Sequence, residues 1–209
     1  MITVADIQAA LDNDEFFLEY LPTMRLEDNV CVGAEALIRW HRNGQVVPPL
    51  DFIPLVEGTV LAGMITYWVI DTVASELGDW VKEHDDVHIG INVPPELWGR
   101  GGVFYTLKKS PLGEQAHKVI FELSERGIPD RMGVQTISDN ISGAKIALDD
   151  MQLDEANMIA LARLNVDYIK IDKSVTDLIL GDSWHGSLQQ KHLLNCSYDD
   201  SHTYIAEGV

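Results

Sequence analysis

The chain has 209 residues, 46% of them hydrophobic, with 33 acidic against 15 basic side chains and a net charge of −18. That length and apolar content support a sizeable core, read as a single domain over residues 1–209. The acidity excludes nonspecific attraction to a nucleic acid polymer or an anionic membrane surface, but leaves room for a small anionic ligand where local cations offset it.

The chain opens MITVADIQAALDND, which has neither the basic region nor the apolar stretch of a signal peptide. Within it, Thr3 to Leu11 predicts a short capped helix, and EFFLEYL (15–21) a strand. VCVGAEALI (30–38) predicts a second strand, followed by the turn HRNGQ and the proline-rich VVPPLDFIP. From Thr59 to about Glu83 the apolar residues recur at helical spacing, with Ile65, Trp68, Val69, Val73, Leu77 and Trp80 on one face. Strands follow at VHIGINV (87–93), KVIFELS (118–124), AKIALDD (144–150) and DYIKID (167–172), with helices at 129–141 and 154–164 between them. A polar, irregular stretch surrounds GDSWHGS, and TYIAEGV (203–209) reads as a seventh strand. No apolar run reaches the roughly 18 residues of a membrane span, so no membrane insertion is expected. Cys31 and Cys196 fit no metal spacing and read as free thiols of a reducing, cytoplasmic compartment.

Strands alternating with helices imply parallel pairing through right-handed crossovers, and nearly continuous apolar runs such as KVIF imply strands covered on both faces. The expected class is α/β, with the layout of a TIM-like (β/α)8 barrel whose last βα unit is missing.

Polar residues interrupt this pattern in a regular way. Glu35 sits inside the apolar second strand, where an unpaired charge costs several kcal/mol or more. Asn92, Glu122, the pair Asp149-Asp150, Lys170 and Glu207 lie at the ends of the later strands. Neighbours in this series come from successive strands, since one βα unit takes about 30 residues. In a barrel the C-terminal strand ends converge on one mouth. Any one of these residues could be a helix cap. Together they would crowd one mouth with carboxylates that repel unless a cation is present. Oxygen donors without His or Cys suit hard cations, Mg²⁺ or Mn²⁺, and the adjacent aspartates allow two ions about 4 Å apart, an arrangement suited to phosphodiester hydrolysis.

The sequence resembles the EAL domain, a bacterial cyclic di-GMP phosphodiesterase. The resemblance is carried by Glu35-Ala36-Leu37 with Arg39-Trp40, Asn92 in INVPPEL, Glu122 and Glu125 in FELSE, Asp149-Asp150 in IALDD, VDYIKIDKS (166–174) and Ala206-Glu207-Gly208-Val209. It implies a barrel whose first strand runs antiparallel to the rest. It implies that Glu35, Asn92, Glu122 and Asp149 hold one metal ion, and that Asp150 helps hold a second. Lys170 would orient or activate the attacking water, Glu207 would assist at the metal–water centre, and Arg39 would contact the dinucleotide. Glu125 would anchor the loop after the aspartate pair, and Asp172 would support Lys170. The implied reaction hydrolyses one phosphodiester of cyclic di-GMP to linear pGpG, and the family resemblance also admits a homodimer.

Three departures leave a second reading open. The family's glycine-containing loop after the aspartate pair is here Met151-Gln152-Leu153-Asp154-Glu155-Ala156-Asn157, the glutamine after Tyr20 is Leu21, and the chain stops at Val209 before an eighth family strand. A barrel left so would expose its first and seventh strand edges, so the chain reads as a fragment, a truncated product or one completed by a partner. The alternative to an enzyme is an inactive module that binds cyclic di-GMP or a protein. The intact acid set separates the two readings and favours the enzyme.

Overall fold

A computed structural model describes residues 1–124, 143–151, 166–180 and 203–208. The expected helices at 129–141 and 154–164, the stretch around GDSWHGS, Glu125, Cys196 and the loop from 152 to 157 lie outside the described residues.

Helix α1, Val4–Asp12, begins with a reciprocal cap: the Asp6 N–H donates to Thr3 Oγ1 at 3.2 Å, and the Thr3 N–H donates to Asp6 Oδ2 at 2.9 Å. Strands β1 (Phe16–Arg25) and β2 (Val30–Arg42) pair antiparallel. β1 is longer than its sequence signal because Pro22 is tolerated in a strand at the edge of a sheet. The turn at HRNGQ is tighter than expected. Asn43 and Gly44 both take positive φ, 51° and 76°, the geometry of a two-residue hairpin turn. It folds Gln45–Val47 back on β2 as a short strand, β3, where the sequence predicts only loop. Two 3₁₀ turns, Pro49–Asp51 and Ile53–Leu55, lead into helix α2 (Val60–Glu83).

The buried stripe of α2 contains Ile65, Val69 and Val73 as expected, with Leu61, Ile70 and Val81. Trp68, Leu77 and Trp80 border the core and are half-buried. By length and composition α2 could cross a membrane, but 50% of its apolar window is buried inside this fold, as in the core helix of a globular domain. Its C-terminal carbonyls are closed by Lys118, whose Nζ donates to Val81 O at 2.9 Å and His84 O at 2.7 Å.

Strands β4 (His88–Asn92), β5 (Val119–Ser124), β6 (Lys145–Met151), β7 (Tyr168–Ile171) and β8 (Thr203–Ala206) continue the sheet in parallel. The order is β1-β2-β4-β5-β6-β7-β8, with β3 hanging off β2. This is the expected curled α/β sheet with its first strand antiparallel. Among the described residues no pairing joins β8 back to β1. Helices α3 (Gly102–Lys109) and α4 (Lys173–Leu180) are additions to the predicted set. Each spans two turns, too short for a repeating apolar stripe to stand out.

The core lies between the sheet and these helices. Phe16, Trp40 and Phe52 form one aromatic group, with ring centroids 5.4–5.8 Å apart, and Trp98, Phe104 and Phe121 another. Trp40 is fully buried, and its indole Nε1–H finds Glu15 Oε2 at 2.8 Å.

Candidate metal centre at the strand ends

Strand alternation decides which side chains meet. Gly90 pairs in register with Glu35, Asn92 with Glu122, and Glu122 with Ala147, so the residues two along from each share one face. Glu35, Asn92, Glu122, Asp149 and Lys170 therefore project together.

Lys170, 3% exposed, is the hub. Its Nζ lies 2.8 Å from Glu122 Oε2, 3.0 Å from Glu35 Oε2, 3.0 Å from Asp149 Oδ1 and 2.9 Å from Glu207 Oε1. Asn92 donates from Nδ2 to the other Glu35 oxygen at 2.8 Å. The acid in the apolar second strand thus has a cationic partner 135 residues away. Burial opposes the charge on Lys170, but the carboxylates of Glu122, Asp149, Glu35 and Glu207 outweigh it and hold the ammonium well above the ordinary lysine range. Burial is also the main force on Glu122, pushing its carboxyl up to about 8 despite the lysine beside it. Glu207 is lifted in the same direction by burial, with Lys170 pulling the other way.

The donor set can be tested against a metal ion directly. Carboxylate oxygens of Glu35, Glu122 and Asp149 lie within 4.8 Å of one another, and so do those of Asp149, Asp150 and Glu207. The two groupings share Asp149, and all donors are hard oxygens, as a pair of hard divalent cations requires. The residues fit. The shared aspartate sits on a bulge: the β6–β7 register shifts between Leu148 and Met151, and Asp150 takes a positive φ of 57°. A regular strand would turn adjacent side chains to opposite faces, whereas this local reversal keeps carboxylate oxygens of buried Asp149 and exposed Asp150 within 4.8 Å of one another.

The remaining predicted residues sit further out. Arg39 is on the same face of β2 as Glu35, and its Nε pairs with Glu19 Oε2 at 2.7 Å. Asp172 accepts from the N–H of Ser174 at 2.9 Å and from its hydroxyl, which holds its carboxyl below the usual range and fixes the turn into α4. Its place is just past the strand that carries Lys170. Leu21 stands opposite Glu35 in the β1–β2 register and is 57% exposed.

Two contributors escaped sequence reasoning. Gly90 leaves the space that the Glu122 carboxylate fills: a Cβ there would collide with Glu122 Oε1 and lie 3.1 Å from its Cδ. A glycine inside an apolar strand is itself the signal for such a close approach. Glu96 ties two loops together by accepting from the Gly58 N–H at 2.6 Å. Beside the carboxylates opens a cleft of about 400 Å³. Its polar floor is Glu35, Asn92, Glu122 and Ser124, and its walls are Leu37, Pro49, Ile53, Pro94 and Pro95.

The EAL domain family model matches residues 4–209. The chain belongs to the EAL domain family. Among curated relatives, the EAL chain is 32% identical to the probable cyclic di-GMP phosphodiesterase PdeB of Escherichia coli K12 over 178 residues, 83% of this chain and 34% of that protein. It is 31% identical to the cyclic di-GMP phosphodiesterase PdeL of the same organism, across 100% of this chain and 59% of PdeL. It therefore spans a third to three-fifths of the length of these relatives. The EAL enzyme Bd1971, solved with cAMP and cyclic di-GMP bound, superposes with a TM-score of 0.84 at 21% identity, over 98% of this chain and 58% of that one. That likeness establishes the EAL fold.

The raised Glu122 has a measurable consequence. Its pKa is lifted from 4.5 to about 8, so the folded chain binds this proton more tightly than the unfolded chain. Its contribution to the stability of metal-free protein is complete below about pH 4.5 and is lost as pH rises to about 8. A divalent ion needs the ionised carboxylate. Metal uptake near pH 7 is expected to release about one proton and to strengthen as pH rises towards 8. Calorimetry in buffers of different ionisation enthalpy checks this, and equal heats in all of them would contradict it.

Proposed function

We propose that this EAL domain, read as one unit over residues 1–209, hydrolyses one phosphodiester of cyclic di-GMP to linear pGpG. The observation that carries the reading is the pair of carboxylate groupings that share Asp149 around the buried ammonium of Lys170. Glu35, Asn92, Glu122 and Asp149 would hold one ion and Asp150 would help hold a second, each Mg²⁺ or Mn²⁺. Such ions, when bound, polarise the phosphoryl group and acidify water towards neutrality.

The chain's own residues do the rest. Lys170 stays protonated, so it donates hydrogen bonds and orients the attacking water. Glu207 Oε1, 2.9 Å from Lys170 Nζ and partly open to solvent, is the oxygen at the rim that can take up and pass on a proton. Water adds to phosphorus as the P–O3′ bond breaks, leaving a 5′-phosphate and a 3′-hydroxyl. Arg39 would contact a phosphate, and the apolar cleft walls suit the faces of nucleobases. The phosphodiesterase names of PdeB and PdeL and the cyclic di-GMP bound to Bd1971 support the same substrate. The retained acid set weighs against the inactive module. The exposed free thiol of Cys31 supports a cytoplasmic setting, and a homodimer is compatible with the reading.

The test is hydrolysis by the purified chain with Mg²⁺ or Mn²⁺, against an EDTA control, following pGpG. Glu35→Ala and Asp149→Ala are each expected to abolish metal binding and turnover. Hydrolysis unchanged in either variant would sink the site assignment.

A further inference from the structure

We propose that Glu19 is an internal competitor for the guanidinium of Arg39 and sets how tightly the site takes a phosphoryl group. The inference rests on the reading above, in which Arg39 meets a phosphate of the substrate. β1 and β2 place the two side chains on one face: Phe17 pairs with Arg39 and Glu19 with Leu37, so Glu19 and Arg39 are diagonal neighbours.

A guanidinium grips a phosphate best with two parallel N–H donors, side-on through Nε and one terminal nitrogen or end-on through both terminal nitrogens. Each edge has one nitrogen already engaged. Nε donates to Glu19 Oε2 at 2.7 Å, and Nη1 donates to the Ile38 carbonyl at 2.9 Å. The two partners differ in mobility. Ile38 O belongs to the strand backbone and stays. The Glu19 side chain is 53% exposed, against 19% for Arg39, so the acid is the member that can swing away. A half-exposed ion pair contributes little, so a phosphate can displace it. Displacement frees the Nε edge as Glu19 swings out into solvent, at the cost of the ion pair. Glu19 therefore acts as a threshold against weakly held anions, and a neutral isostere should lower that threshold.

The test is a binding titration of the intact chain with cyclic di-GMP in EDTA, where turnover is absent, using Glu19→Gln with Glu19→Ala beside it. Both are expected to bind about three- to tenfold tighter than wild type, the scale of one partly exposed charge pair. In an Arg39→Ala background that gain should shrink to less than about twofold, because the competitor then has nothing to compete for. Three results overturn the proposal and are distinguishable. Affinity unchanged or weakened by Glu19→Gln, with Arg39→Ala still damaging, removes Glu19 alone. An Arg39→Ala variant that binds like wild type removes the role of Arg39, and the competitor with it. Absence of binding by the wild-type chain overturns the cyclic di-GMP reading itself.

Discussion

Lys170→Met is expected to abolish hydrolysis and to unfold the metal-free chain at a much lower temperature, with Mn²⁺ restoring stability but not activity. In wild type one ammonium holds Glu35, Glu122, Asp149 and Glu207 at 2.8–3.0 Å. Methionine keeps most of the volume and removes the charge. Breaking a buried pair while its partners remain costs roughly 3–5 kcal/mol. For a domain of this size each kcal/mol shifts the melting temperature by about 2–4 °C, so a drop of roughly 6–20 °C should be visible by scanning fluorimetry in EDTA. Divalent ions can neutralise the same carboxylates, so added Mn²⁺ should recover most of that drop. Under the proposed mechanism they would not replace the donor that orients water, so pGpG formation should stay at least about 100-fold down, the lower end for a positioned proton-handling group. A variant that is stable without metal, or that turns over once metal is added, would show that Lys170 is neither the counter-ion nor the orienting group.

Gly90→Ala is the second large effect, produced by one methyl group on a residue with no chemistry of its own. Its Cβ would meet the Glu122 carboxylate, and that side chain is enclosed, 4% exposed. Either Glu122 gives up its place beside Lys170 or β4 moves. Overpacking of this kind costs about 1–3 kcal/mol. The larger consequence is positional: the Mn²⁺ dissociation constant should rise at least about tenfold, since loss of one well-placed ligand contact is worth more than about 1.4 kcal/mol. The melting temperature of the metal-free variant should fall only modestly. Calorimetric Mn²⁺ titration separates the two effects, and wild-type affinity in Gly90→Ala would mean that Glu122 does not need the space.

Much of this arrangement was legible because it is periodic. VHIGINV, KVIFELS and AKIALDD advertise buried strands by their apolar runs, and Asn92, Glu122 and Asp149 stand out as polar interruptions at the same end of each. What escaped depends on distances between distant residues. The Glu19–Arg39 pair is set by a β1–β2 register that no local pattern encodes. The sequence pattern marks Lys118 only as the start of a strand, and gives no sign that its buried ammonium closes the end of α2. The convergence of four carboxylates on one ammonium follows from sheet curvature, which sequence spacing can anticipate as a mouth but not as a hub. The short elements β3, α3 and α4 were missed because each is held by tertiary packing and turn geometry, with too few residues to build a periodic signal.

The bulge between Asp149 and Asp150 imposes a lineage constraint of two unrelated kinds on one position. The left-handed backbone at residue 150 suits Gly, Asn and Asp among the common residues. The shared carboxylate grouping asks for an acid there. Asparagine would keep the hand and lose the charge, glutamate would keep the charge and strain the hand, and glycine would relax the chain while emptying the site. Each single-step route away from aspartate gives up either conformation or charge, so position 150 can drift only after the chemistry at this mouth has stopped being selected.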